Sequence, residues 1–165
     1  MRDPSYKLLT LTQAQPWRQS LRSHGDVLIV TNGCFDVLTP GHVSFLKAAR
    51  NLDSHSALLV LLNSDDSIRR LKGFTRPIWN QEERSLVLAS LTMVNVVIPF
   101  FNIHCAEELR ILNPDIYVKG ADYTFSSLNE IEKKVLIDLG IRIEFIPYDS
   151  RYSSTKLIEA VKQCQ

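Results

Sequence analysis

One histidine, several cations and a run of small hydroxyls recur in this 165-residue chain at places where they could handle phosphate together. His42 follows Thr39-Pro40-Gly41, just behind the turn Asn32-Gly33-Cys34-Phe35-Asp36. Lys72 and Arg76 come after Asn63-Ser64-Asp65; Lys119, Gly120 and Asp122 form a third group; Arg151 and Ser153-Ser154-Thr155 form a fourth. Glycine N–H groups, hydroxyls and cations hold phosphate oxygens, and none of them is a strong nucleophile. The chemistry they suit is phosphoryl transfer by positioning and charge stabilisation, with little covalent work by the protein. Cys34 has no partnered base near it in sequence, so it is not read as a nucleophile.

Such groups act together only if the fold brings them to one edge. The run Val27-Leu28-Ile29-Val30 is continuously apolar, as in a strand buried on both faces, and predicts strand one over 27–31. A helix over 40–51 follows, with Thr39 as its cap and Pro40 in its first turn, where the missing N–H costs nothing. Further strands are expected at 57–62, 94–99, 115–118 and 142–146. Helices are expected at 66–71, 81–91 (capped by Asn80), 106–112, 127–139 and after Ser154. A weakly amphipathic stretch, 12–22, should form a helix packed on the sheet edge. Regular alternation of strand and helix makes this an α/β chain with a parallel sheet of about five strands. Every group named above then follows a strand, so all sit at the carboxyl edge, where open α/β sheets bind ligands.

Composition narrows the partners. Nineteen Lys and Arg against eighteen Asp and Glu leave a net charge of +1, so there is no bulk attraction to nucleic acid or an anionic membrane. Small-molecule substrates, gripped locally, are the expected partners. Three cysteines, Cys34, Cys105 and Cys164, are too few and too far apart for a disulfide framework or a zinc site. No apolar run reaches the roughly 20 residues of a membrane span, and the first residues lack the apolar core of a signal peptide. The expectation is a cytoplasmic protein with one domain over 1–165.

The stretch from Gly33 to His42, GCFDVLTPGH, resembles the GxFDxxHxGH signature of the cytidylyltransferase-like nucleotidyltransferase superfamily. The likeness extends over KLLTL, TNGCFDVL, LLNSDDSIRRLKG, NPDIYVKGADY and SSTKLI, in order and at the right spacing. Within the superfamily the chain is most similar to the heptose 1-phosphate adenylyltransferases. The resemblance implies a Rossmann-like parallel sheet and transfer of AMP from ATP to a sugar 1-phosphate, with Mg²⁺ brought by ATP, no dedicated metal site and a homodimer. It gives His42, Lys72 and Thr39 catalytic roles. It assigns Asn32, Gly33, Cys34, Phe35, Gly41, Arg84, Lys119, Gly120, Asp122, Ser153, Ser154 and Thr155, with His42, to the nucleotide. Gly33 and Gly41 would let backbone and base approach closely. Asp36 is expected to lie towards the acceptor, and Arg151 is assigned to the same substrate.

The chain departs from the heptose pattern in places. Thr39 stands where the first motif histidine is usual, Ala121 replaces a glycine, and Asn95 replaces an aspartate. Asn102-Ile103-His104-Cys105 takes the place of an acidic-Thr-Pro stretch. These changes bear on the acceptor more than on the reaction. Two alternatives stay open: a CTP-dependent enzyme for glycerol 3-phosphate or a similar alcohol phosphate, and a nucleotide-binding module without catalysis.

Overall fold

The structure is a computed structural model that describes residues 3–147 and 154–163. Five strands form one parallel sheet in the order β3-β2-β1-β4-β5: β1 (Val27–Gly33), β2 (Ser56–Asn63), β3 (Val96–Phe100), β4 (Ile116–Gly120) and β5 (Arg142–Ile146). Every residue of β2 is buried, as its unbroken apolar run requires of a central strand covered on both faces. Successive residues of β1 feed opposite layers. Leu28 and Val30 join a cluster with Ala14, Leu109 and Val135, while Ile29 joins Phe45, Leu46 and Leu88 on the other face. The helices follow this division. α1 (Leu11–His24), α5 (Ala106–Leu112) and α6 (Glu130–Asp138) cover the first face; α2 (Pro40–Arg50) and α4 (Gln81–Ala89) cover the second.

The α/β class, the five strands and their parallel sense agree with the sequence, and so do the bounds of α5 and β5. Several edges do not. β1 runs on through Asn32 and Gly33, which pair with Leu61 and Leu62, and β4 runs on through Lys119 and Gly120, which pair with Phe145 and Ile146. Both strands outlast their apolar runs because pairing uses backbone groups and is indifferent to side-chain polarity. β3 starts and ends later than expected and α4 ends two residues earlier. α6 starts at Glu130 because Asn129 accepts from the N–H groups of Ile131 and Glu132; a short 3₁₀ turn, Phe125–Ser127, precedes it. α1 lies on the face of the sheet and not at its edge. Arg18 fixes it there, donating to the carbonyls of Leu112 (3.2 Å) and Asn113 (2.9 Å) and pairing with Asp115 (3.0 Å).

Two matching latches set where central strands begin. Asp115 accepts from Leu28 N at 2.7 Å, and Asn95 accepts from Leu58 N at 2.9 Å. An amide oxygen accepts as a carboxylate oxygen does, so Asn95 performs the job expected of an aspartate there. The break in strand order falls between β1 and β4, and a crevice forms at the carboxyl ends of the strands on either side of such a break.

Candidate active site

A cleft of about 700 Å³ opens at that break. It gathers Asn32, Gly33, Cys34, Phe35 and Asp36 from the end of β1, His42 from α2, and Lys72 and Arg76 from the far side of β2. Lys119, Gly120, Asp122 and Tyr123 come from β4 and its turn; Asn129 and Glu132 come from the start of α6. The sequence groups after strands one, two and four therefore meet. Thr39, Gly41 and Arg84 do not line the cleft. Arg151 and Ser153 lie outside the described residues. Ser154 and Thr155 open α7 (Ser154–Gln163), as their small hydroxyls suit, and their side chains are likewise outside the described ones.

The glycine turn and the helix behind it are built by local contacts. Phe35 has a left-handed φ of 41°, which turns its ring back over Gly33: a Cβ on Gly33 would meet the ring at 3.0 Å. The space left by the absent side chain is thus filled by the chain's own phenyl group, where the sequence suggested a ligand. The same ring lies 5.4 Å from the His42 imidazole, tilted by 59°, a favourable aromatic arrangement. Thr39, 4% exposed, caps α2. Its Oγ1 accepts from His42 N (3.4 Å), and its own N–H donates to His42 Nδ1 (3.1 Å). A nitrogen that accepts from a backbone N–H carries no proton, so the neutral imidazole keeps its hydrogen on Nε2. Burial, and then the Lys72 ammonium, push the His42 pKa below the ordinary 6.5. At neutral pH this histidine is an uncharged donor at the N-terminus of a helix whose first N–H groups also favour anions.

Asp36, 4% exposed, is held by one loop. Its Oδ2 accepts from Arg76 Nη1 (2.6 Å), and its Oδ1 accepts from Ile78 N (2.6 Å) and Trp79 N (3.3 Å). Arg84, placed at the nucleotide by sequence, is instead a brace under the floor. Its side chain has no exposure. It donates to the carbonyls of Cys34 (2.7 Å), Asn63 (2.9 Å) and Trp79 (3.0 Å), and pairs with Asp65 at 2.7 Å. One guanidinium thereby ties the ends of β1 and β2 to the first residue of α3 (Asp65–Lys72). Cys34 lines the cleft, but burial raises its thiol pKa, which leaves it protonated and a weak nucleophile.

Opposite, Lys119 is 9% exposed, and its Nζ lies 4.9 Å from the Tyr123 ring centre and 5.7 Å from that of Tyr117. Behind it is a polar network that no motif announced. Glu132, 3% exposed, accepts from Cys105 N (2.9 Å), Cys105 Sγ (3.2 Å), Tyr117 OH (3.2 Å) and, at 3.4 Å, Asn32 Nδ2. The one Tyr117 hydroxyl proton is shared with Asn32 Oδ1, which lies nearer at 2.7 Å. A signal was present in the sequence: Glu132 falls at helical spacing from Leu128, Val135 and Leu136, all buried, so a carboxylate occupies a core position of α6.

Cations at both ends and a neutral donor between them suit a polyanionic ligand. Among α/β sheets, this strand order with its ligand groups gathered at the break is the Rossmann-like architecture that handles nucleotides. The chain belongs to the Cytidylyltransferase-like family, whose sequence profile matches residues 30–160. Over 141 residues it is 43% identical to "Bifunctional protein HldE" of Syntrophotalea carbinolica, covering 85% of this chain and 28% of that protein. Over 161 residues it is 35% identical to the protein of the same name from Methylococcus capsulatus, covering 98% and 33%. It thus spans about a third or less of the length of these curated relatives. The crystal structure of the lipopolysaccharide core biosynthesis protein from Thermoplasma volcanium superposes with a TM-score of 0.59 at 26% identity, over 74% of this chain and 96% of that one.

Proposed function

We propose that this chain is an adenylyltransferase that joins AMP from ATP to a sugar 1-phosphate, a heptose 1-phosphate by its resemblance to that group of enzymes. An oxygen of the acceptor phosphate attacks the α-phosphorus of ATP; the bond from that phosphorus to the bridging oxygen breaks, and pyrophosphate leaves with the electron pair. No covalent enzyme intermediate is formed. The observation that carries this reading is His42: a half-buried, neutral donor at a helix N-terminus, with Lys72 close enough to depress its ionisation. Donors fixed before charge develops are the largest single source of stabilisation in such reactions. Lys72 and Lys119 add charge, and Asn32 and the Gly33 backbone shape the floor.

Thr39 takes part through His42. Its backbone N–H at 3.1 Å and its hydroxyl at 2.9 Å both face His42 Nδ1 and together favour the tautomer with hydrogen on Nε2. This supports an active enzyme over a binding module. Among the described residues no three His, Cys, Asp or Glu side chains gather to hold a metal ion. Of the cleft's three described carboxylates, Asp36 is paired with Arg76 and Glu132 already accepts from Cys105, Tyr117 and Asn32, so Asp122 is the one that would meet a Mg²⁺ carried in by the triphosphate. Mg²⁺ usually keeps water and phosphate ligands in this way and neutralises phosphate charge. The same reading has the chain act as a homodimer in the cytoplasm; among the described residues, no helix is long and apolar enough to cross a membrane.

Pyrophosphate release from ATP and CTP across sugar 1-phosphates and glycerol 3-phosphate tests the reading. ATP with a heptose 1-phosphate should turn over fastest. Turnover only with CTP and an alcohol phosphate, or with no pair at all, defeats it. His42→Ala should lower kcat by about 10²–10³, the scale for losing one fixed donor.

A further inference from the structure

We propose that Arg76 receives the phosphate of the acceptor and that Asp36 is the positioning residue that aims it; this rests on the nucleotidyl-transfer reading. Asp36 is where sequence placed the acceptor, yet its oxygens already accept from three donors, all in the loop that carries Arg76. A substrate hydroxyl would have to displace one of them from a carboxylate that is almost fully buried. The loop's arginine is differently placed. Its side chain is 15% exposed, it lines the cleft, and among the described residues it makes one contact of charge, Nη1 to Asp36 at 2.6 Å. A guanidinium carries five N–H donors in a rigid fork that matches phosphate oxygens two at a time. With Nη1 fixed, the remaining donors are oriented before any ligand arrives, which lowers the entropic cost of binding.

The reaction needs a cation in this position. Both reactants are anions, and the attacking phosphate must approach another phosphate against their repulsion. The cleft's described cations are Lys72, Arg76 and Lys119. Lys119 sits on the β4 side, held over two tyrosine rings, and Lys72 is near enough to His42 to shift it, so both attend the nucleotide. Arg76 is the cation that remains, on the β2 side and tied to the end of β1 through Asp36. A fork suits the terminal phosphate of a 1-phosphate, which is dianionic and exposes three oxygens.

Direct binding and kinetics together test this. Heptose 1-phosphate, inorganic phosphate and ATP are titrated calorimetrically into the wild type, Arg76→Ala, Arg76→Lys and Asp36→Asn. Arg76→Ala should weaken heptose 1-phosphate and inorganic phosphate about 10–100-fold, the range for hydrogen bonds to a charged group, while ATP affinity stays within about threefold. In turnover the acceptor KM should rise with ATP KM unmoved. Arg76→Lys should fall between, since it keeps charge and loses the fork. Asp36→Asn should raise the acceptor KM less than Arg76→Ala does, and the double variant should be no worse than Arg76→Ala alone, because Asp36 acts through the arginine. Equal sugar-phosphate binding by wild type and Arg76→Ala, no binding by either, or a matching loss of ATP affinity overturns the role of Arg76. Additive effects of the two substitutions overturn that of Asp36. Absence of pyrophosphate release from wild type is a separate outcome: it sinks the transferase reading while the titrations still decide Arg76.

Discussion

The two ends of the cleft are held in different ways. On the β2 side the contacts are ionic: Asp36 with Arg76 and Arg84 with Asp65, the first through a loop that leaves Phe74 93% exposed. On the β4 side the contacts are hydrogen bonds in a packed interior, with Glu132 accepting from Cys105, Tyr117 and Asn32, and the one cation lies on aromatic faces. A pocket edge made of a loop and an ion pair can adjust to a second substrate. One made of strand ends and a buried network is fixed by the core itself. Under the proposed function the acceptor's phosphate would meet the adjustable end at Arg76, and the nucleotide would lie along the rest of the cleft from Lys72 and His42 to Lys119.

Substitutions can break this division. The largest stability effect belongs to Arg84, although it stands on the ionic side, because its donors reach three carbonyls and a carboxylate from full burial. Arg84→Ala should lower stability by about 3–5 kcal/mol, the scale for leaving a buried pair uncompensated, seen as a drop in urea midpoint; a loss under about 1 kcal/mol would show that the brace is dispensable. Next comes Glu132→Gln. Its new amide N–H₂ faces donors already present, so about 1.5–3 kcal/mol should be lost, and ATP should weaken more than the sugar phosphate. Equal weakening of both would erase the distinction between the two ends.

Gly33→Ala should cost about 1–3 kcal/mol by overpacking, since the new methyl meets the Phe35 ring at 3.0 Å, and kcat should fall with it as the ring shifts against His42. Unchanged kcat would show that the contact is incidental. The smallest effect is one of pH. The fold depresses the His42 pKa below 6.5 through burial and Lys72, so the unfolded chain binds a proton first. Stability should therefore decline as pH falls below 6.5 and level off once the folded pKa is passed. His42→Gln should flatten that part of the curve, and denaturant midpoints measured against pH would show it.

Much of this was legible from residue types. The buried run of β2, the capped start of α2 and the punctuation around α5 and β5 each reflect local chemistry, and local chemistry is written in sequence. The cations at the sheet edge were legible for the same reason, since each follows a strand. What resisted was direction. Arg84 and Lys119 read alike as cations near a nucleotide, yet one turns inward to carbonyls and the other lines the cleft; the difference lies in which tertiary acceptors are within reach. Asp36 was found, but its partners lie 40 or more residues away, beyond any local pattern. Glu132 was missed because it belongs to no phosphate motif, though its place among buried leucines and valine marked it.

Phe35 has one more consequence. Folded back on Gly33 and resting beside His42, it works as an internal gauge that measures the chain between the glycine turn and the helix. A single residue inserted or deleted between Phe35 and Thr39 would change its length, and the imidazole would arrive at the wrong place however good its cap. Over evolutionary time this stretch should hold its count.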